Sequence, residues 1–360
     1  VHTQAGRRAS LRHWFISFAW LPHFMLLTIG LFLISAGAIY LACEYFVNGI
    51  EWCGKRLNLG ATAVGSVLAA FGTALPESAV TFVAVVFGST PEQKDLGVGA
   101  AMGGPLVLAT LAYAVVGLAL MMNRRELGRP TAEVKVDHAR MSRDQAAFLG
   151  AFVVKVALGL VAFAYKPWLG ILFLVAYAIY VWREIKDSDT APEEEELEPL
   201  SIRPKLAEPP LGWAVLQVLL ALVVIGGASH VFVAQLEAIG TALHWPAHLV
   251  ALLLSPVATE LPETMNALIW VRRGKERLAL ANISGAMMIQ ATIPSALGIF
   301  YTPWRFDGPL LASGIITAVA ILFLWMMFRR GVVHGRTLVA VSSLYALFAF
   351  VLAIGFPVTR

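Results

Sequence analysis

Apolar residues run through this chain in blocks of about 20, and each block stops at a charge, a proline or a glycine. Ten such blocks can be marked, near residues 22–47, 60–88, 95–122, 145–164, 167–183, 211–237, 245–271, 276–301, 306–328 and 336–356. A helix rises about 1.5 Å per residue, so about 20 apolar residues cross the ~30 Å of hydrocarbon in a bilayer. The pattern predicts an all-α integral membrane protein with ten transmembrane helices. Arg7, Arg8 and Arg12 precede the first block as the charged region of a signal peptide would. The apolar run then continues to about Val47, too far for a cleavable signal, and reads as a span.

Composition agrees with this reading. Of 360 residues, 58% are hydrophobic and 14% charged, which excludes a soluble globule. The net charge of +4 points to no nucleic acid, because Lys and Arg sit in short loops between spans. They gather on one side of an alternating topology: Lys55 and Arg56, the loop from Arg124 to Arg143, Arg183 to Lys205, Arg272 to Arg277, and Arg329 to Arg336. The positive-inside bias makes that side cytoplasmic and puts both termini outside, in a plasma membrane or a bacterial inner membrane. Cys43 and Cys53, the two cysteines, have no metal-ligand spacing around them and predict neither a disulfide framework nor a zinc site.

One loop differs from the others. "REIKDSDTAPEEEELEPLSIRPKLAEPP", residues 183 to 210, is acidic, rich in proline and without helical period, so it reads as a solvated cytoplasmic linker. The adjacent carboxylates Glu193 to Glu196 lack the alternating ligands and glycine turn of a calcium loop. The linker divides two similar halves. Sliding the chain against itself places Phe46, Val47, Glu51, Gly54 and Leu57 on Phe232, Val233, Glu237, Gly240 and Leu243. The same shift places Thr73, Leu75, Pro76 and Glu77 on Thr259, Leu261, Pro262 and Glu263, with no gap between the blocks. This is an internal duplication: residues 1–183 form a first repeat with the motif at 71–78, residues 184–210 the linker, and residues 211–360 a second repeat with the motif at 257–264. Each repeat holds five spans, and an odd number inverts the second copy in the membrane.

The chemistry lies in the two motifs, "FGTALPES" and "VATELPET". A proline inside a span removes a donor and frees a carbonyl one turn earlier. In hydrocarbon a free carbonyl persists only if it is buried in protein, lines water or meets another partner, and a cation is a suitable one. A mid-span carboxylate costs several kcal/mol and belongs on the bundle interior. One Pro-Glu pair alone is common in the first turn of a helix. Two, related by an inverted repeat, bring Glu77 and Glu263 together with Thr73 and Thr259 into an all-oxygen cage suited to calcium.

These segments resemble the alpha-repeat signatures of the sodium/calcium exchanger superfamily, the calcium/cation antiporters, over both halves of the chain. The resemblance implies the family's ten-helix fold, alternating access, exchange of calcium for sodium, protons or potassium, and Thr73, Glu77, Thr259 and Glu263 as calcium ligands. It also implies a carrier with transported cations as its ligands, no resident cofactor, no protein partner and no enzymatic activity. The pattern departs from the family's in the helices that follow. Ala100, Gly104 and Leu108 stand where Asn, Ser and Asn or Asp are usual. In the second copy Asn282 and Gly285 are kept, Ala286 replaces Ser, and Gln290 fills the acidic or amide position. Glu260 stands in place of the Ser after Thr259, adding a third carboxylate. Crowded carboxylates repel one another, so one of them is a candidate proton carrier, while Gln290 still offers an oxygen to sodium. Either Glu260 joins the site, or it turns away to a base such as Lys155. A cation channel with an acidic constriction and an intramembrane carboxylate-dependent hydrolase are the alternatives.

Overall fold

The computed structural model describes residues 4–57, 74–187, 197–331 and 333–355, and these are helical apart from short connections. We number the helices α1 (Gln4–Arg56), α2 (Ala74–Phe87), α3 (Pro91–Asn123), α4 (His138–Leu160), α5 (Gly170–Asp187), α6 (Leu211–Leu243), α7 (Ala247–Thr259), α8 (Leu261–Arg272), α9 (Glu276–Tyr301), α10 (Gly308–Arg329) and α11 (Gly335–Gly355). Among the described residues, six segments are long and apolar enough to cross a membrane, in α1, α3, α6, α9, α10 and α11. The one β feature among them is an isolated bridge between Glu133 and His334.

Local chemistry sets the helix ends. Asp137 caps α4 by accepting from the Arg140 N–H at 3.0 Å, so the helix starts several residues before the block at 145–164. That backbone N–H holds the Asp137 carboxyl below the usual carboxylate range. Thr90 caps α3 by accepting from the Gln93 N–H at 3.2 Å, with Pro91 at the first helical position. The block at 245–271, read as one span, is two helices. The chain breaks at Glu260 (φ −96°, ψ −4°), and Pro262, in the first turn of the helix that follows, brings no N–H to continue the first.

Glycines let helices touch. A Cβ on Gly99 would lie 2.1 Å from the His248 carbonyl oxygen, and one on Gly103 would lie 2.4 Å from that of Leu252. Four-residue spacing on both helices therefore lays α3 flat and parallel against α7, the small-residue packing expected of "GVGAAMGG". The corresponding "GSVLAAFG" lies outside the described residues. Gly117 of α3 and Gly335 of α11 meet in the same way.

The helices form two packed bodies. A larger one gathers α3, α4, α8, α9, α10 and α11 around residues such as Tyr113, Phe148, Phe152, Ile289 and Phe328. A smaller one joins α1, α2, α6 and α7 through Phe32, Ile39, Phe46, Val83, Phe232 and Leu236. Within it α1 and α6 run antiparallel: Phe32 stacks on Phe232 at 4.8 Å, while Gly49 faces Val218 and Ala214.

Helix α5 runs on to Asp187, residues 188–196 lie outside the described residues, and in residues 197–210 Glu198, Pro199 and the run from Arg203 to Glu208 are exposed while Leu200 and a few backbone groups dock on α1 and α6. Trp52 donates its indole N–H to the Glu198 carbonyl at 2.9 Å. Asn48 Oδ1 accepts from the Ser201 N–H at 3.0 Å and from Gln217 Nε2 at 2.9 Å. The Ile202 N–H in turn donates to Gln217 Oε1 at 2.9 Å. Polar side chains of α1 and α6 thus satisfy the strap's backbone, and the apolar surfaces of Trp52, Leu200 and Ala214 close over it.

Candidate functional site

Glu77, Glu260 and Glu263 meet inside the bundle, exposed by 1%, 1% and 0%. Each arrives by a different route. Glu77 lies in the first turn of the described part of α2, Glu260 is the break between α7 and α8, and Glu263 is in the first turn of α8. The three carboxyl groups lie within electrostatic reach of one another, and those of Glu77 and Glu260 within hydrogen-bonding reach. Glu260 therefore joins the site, and its partner is not Lys155.

The surroundings of the three acids are unequal. Glu260 is fully engaged: Oε1 accepts from Thr259 Oγ1 at 3.0 Å and Oε2 accepts from Gln290 Nε2 at 2.8 Å. The Thr259 hydroxyl has one proton and two acceptors, since the Ser255 carbonyl also lies at 3.1 Å. By contrast, both carboxylate oxygens of Glu77 and both of Glu263 are buried without a hydrogen-bond partner. Two carboxylates side by side are both acceptors, so only a proton or a metal cation between them resolves the contact. Gln290 Oε1 and Ser255 Oγ are likewise buried without a partner. The unpaired set is thus composed of oxygens, the donor chemistry of a hard cation.

Gly104 explains one departure from the sequence pattern. A Cβ there would lie 2.3 Å from Glu77 Oε2, 2.6 Å from Cδ and 2.7 Å from Oε1. The carboxylate rests on bare helix backbone, in space that a serine side chain would occupy.

Of the residues selected from the sequence, Glu77, Thr259, Glu260, Glu263 and Gln290 come together, and Thr73 lies outside the described residues. Ser255, one turn before Thr259 in α7, offers its backbone carbonyl to the Thr259 hydroxyl and was not selected from the sequence, because a serine in an apolar helix carries no motif. The remaining flagged groups sit elsewhere. Glu237 accepts from Gln93 Nε2 at 2.9 Å, and His230 packs on Phe87 with ring centroids 5.7 Å apart.

A bundle of apolar helices that buries a cluster of carboxylates at a helix break defines an integral membrane carrier of cations. The chain belongs to the sodium/calcium exchanger protein family, whose sequence model matches residues 27–186 and 213–357. This is a family of transporters, not of enzymes. Inner membrane protein YrbG of Escherichia coli (strain K12) is 26% identical over 333 residues, covering 87% of this chain and 92% of that protein. The fold resembles that of the H+/Ca2+ exchanger CAX, with a TM-score of 0.69 and 20% identity over 96% of this chain and 89% of that one. It also resembles the sodium-calcium exchanger NCX_Mj, with a TM-score of 0.56 and 18% identity over 92% of this chain and 99% of that one.

Proposed function

We propose that the protein is a secondary active antiporter that exchanges Ca2+, or a similar divalent cation, for Na+ or H+ by alternating access. The observation that carries this reading is the cluster of three buried carboxylates, two of them without a donor, at the break between α7 and α8. Such a cluster is stable in a membrane interior only with cations in it, whether calcium, sodium or protons. Glu77 and Glu263 carry the charge of the two motifs and Glu260 adds a third carboxylate; Thr73, Thr259 and Gln290 complete the oxygen set. No resident cofactor enters: the ions held are the ions carried. The names of the structural relatives, H+/Ca2+ and sodium-calcium exchangers, support the two choices of counter-ion.

The architecture we infer is ten spans in two inverted five-helix repeats, residues 1–183 and 211–360, joined by the linker 184–210. The twofold match of the family model and the antiparallel α1 and α6 pair support it. The basic loops after α3 and α10 meet at one end, where the Val134 N–H donates to the Val333 carbonyl at 2.8 Å. This supports placing them on one, cytoplasmic, face with both termini outside. Helix α1 packs chiefly on α6 and lightly on the rest, which suits this pair to move as the gate.

The test is calcium uptake into proteoliposomes under an opposing sodium gradient or an opposing pH gradient, with wild type beside Glu77→Gln. Uptake driven by one gradient and abolished in the variant is the expected result and names the counter-ion. Calcium flux that follows voltage alone, without an opposing ion, would instead make the protein a channel. No gradient-driven calcium uptake would overturn the reading.

A further inference from the structure

Lys155 lies five residues before the end of α4 with 0% exposure, and the transport scheme above makes no use of it. A buried ammonium carries a desolvation penalty of several kcal/mol and persists only where something offsets it. Its Nζ donates to the Ala101 carbonyl at 2.9 Å and lies 4.9 Å from the centroid of the Phe152 ring. That acceptor is unusual. In a continuous helix the carbonyl of residue 101 receives the N–H of residue 105, and residue 105 is proline, so the carbonyl is free. The next residue toward the N-terminus, Gly104, is the one on which the Glu77 carboxylate rests. Lys155 and Glu77 therefore converge on one turn of α3, from α4 and α2. Among the charged groups that act on Glu77, Lys155 is the one of opposite sign within the described residues.

Satisfying a carbonyl needs a donor but not a charge, and a neutral side chain would do so with a smaller desolvation penalty. What the ammonium adds is a positive charge on a side chain tethered to the bundle. Glu77, Glu260 and Glu263 bring three negative charges, and Lys155 reduces the total to two. We propose that Lys155 is a tethered counter-cation of the transport site, standing in for one carried monovalent cation and setting the exchange at one divalent for two monovalent cations without net charge movement. A site that must change its access inside a low-dielectric bundle does so most readily when its charge is balanced. Two negative charges are balanced by one Ca2+, and equally by two Na+ or two H+. Without the lysine, three negative charges need a divalent and a monovalent ion together, or three monovalent ions.

The inference rests on the exchanger reading, and its test separates the two. Proteoliposomes are brought to steady calcium accumulation under the driving gradient, with the membrane potential clamped at 0 or 100 mV by potassium and valinomycin. For wild type and for Lys155→Arg we expect the same calcium ratio at both potentials. For Lys155→Met we expect either a ratio that shifts by about 50-fold per 100 mV, the value for one net charge, or uptake that newly requires a monovalent cation on the calcium side. Should Lys155→Met fail to fold, Lys155→Gln and the wild-type ratio carry the test. A wild-type ratio that shifts with potential would overturn the assignment, as would a folded neutral variant that stays insensitive to potential and to added monovalent cation. Absence of any gradient-driven uptake by wild type is a different outcome, which removes the exchanger reading and this assignment with it.

Discussion

Gly104 shows how a missing side chain shapes a site. The position lies in a buried helix, where alanine has the higher helix propensity by about 1 kcal/mol. The Glu77 carboxylate fills the space a Cβ would need, so glycine here is a requirement of close approach and not of backbone conformation. Gly104→Ser is expected to fold, because the obstructing atoms are the far end of a flexible side chain. It should displace the Glu77 carboxylate by roughly an ångström and weaken the apparent calcium affinity about tenfold or more, since misplacements of this size in a preorganised site are costly. Uptake measured against calcium concentration checks this, and a wild-type affinity in Gly104→Ser would mean that calcium does not use Glu77 in the position seen. Glu260 is the complementary case. It is an added side chain that finds two donors, Thr259 and Gln290, and so becomes a fixed member of the cluster.

At the level of elements, the strap over α1 and α6 matters most. Both helices present much of their length to lipid: 22% of the most apolar window of α6 is buried, against 83% for α9. The strap is tied to this pair by polar contacts, and Asn48 sits at their centre. It accepts from Ser201 and Gln217 while its own amide faces the Glu198 and Pro199 carbonyls. Asn48→Ala leaves these groups buried and unpaired, at about 1–3 kcal/mol. We expect a lower thermal midpoint in detergent and faster tryptic cleavage after Lys205, which lies exposed in the strap. Unchanged proteolysis would mean that the apolar contacts of Trp52, Leu200 and Ala214 hold the segment without Asn48.

For the molecule as a whole, a buried ion pair ties distant parts of the chain at the end where the basic loops gather. Arg129, in the loop after α3, forms a bidentate pair with Glu276 at the start of α9, with one arm at 3.1 Å, and the Lys135 N–H donates to the same carboxylate at 3.3 Å. Glu276 is 1% exposed, so removing its partner strands a charge. Arg129→Ala should lower stability by about 3–5 kcal/mol. Adding Glu276→Gln to that variant should restore part of the loss, because the stranded charge is then gone. Thermal unfolding of the single and double variants measures both effects, and equal losses in the two would assign the cost to packing and not to charge. A positive loop that reads as a topology signal in the sequence is thereby also a structural tie.

The sequence by itself determined that this is an all-helical membrane protein and pointed to two Pro-Glu motifs within its spans. Both follow from local rules: the length of an apolar run matches the thickness of a bilayer, and a proline beside a carboxylate within such a run contradicts it. It also singled out Glu77, Thr259, Glu260, Glu263 and Gln290, which the fold assembles. What only the tertiary structure decided depends on neighbours far away in the chain. Whether Glu260 faces the cluster or Lys155 turns on the rotation of α8 about its break, and no periodicity in 245–271 encodes that rotation. The use of Gly104 depends on which helix lies across it. The docking of 197–210 depends on Asn48 and Gln217, some 15 to 153 residues away from their strap partners. The carbonyl freed by Pro105 can be read from the sequence, but the lysine that meets it, 54 residues on from Ala101, is found only once α3 and α4 pack.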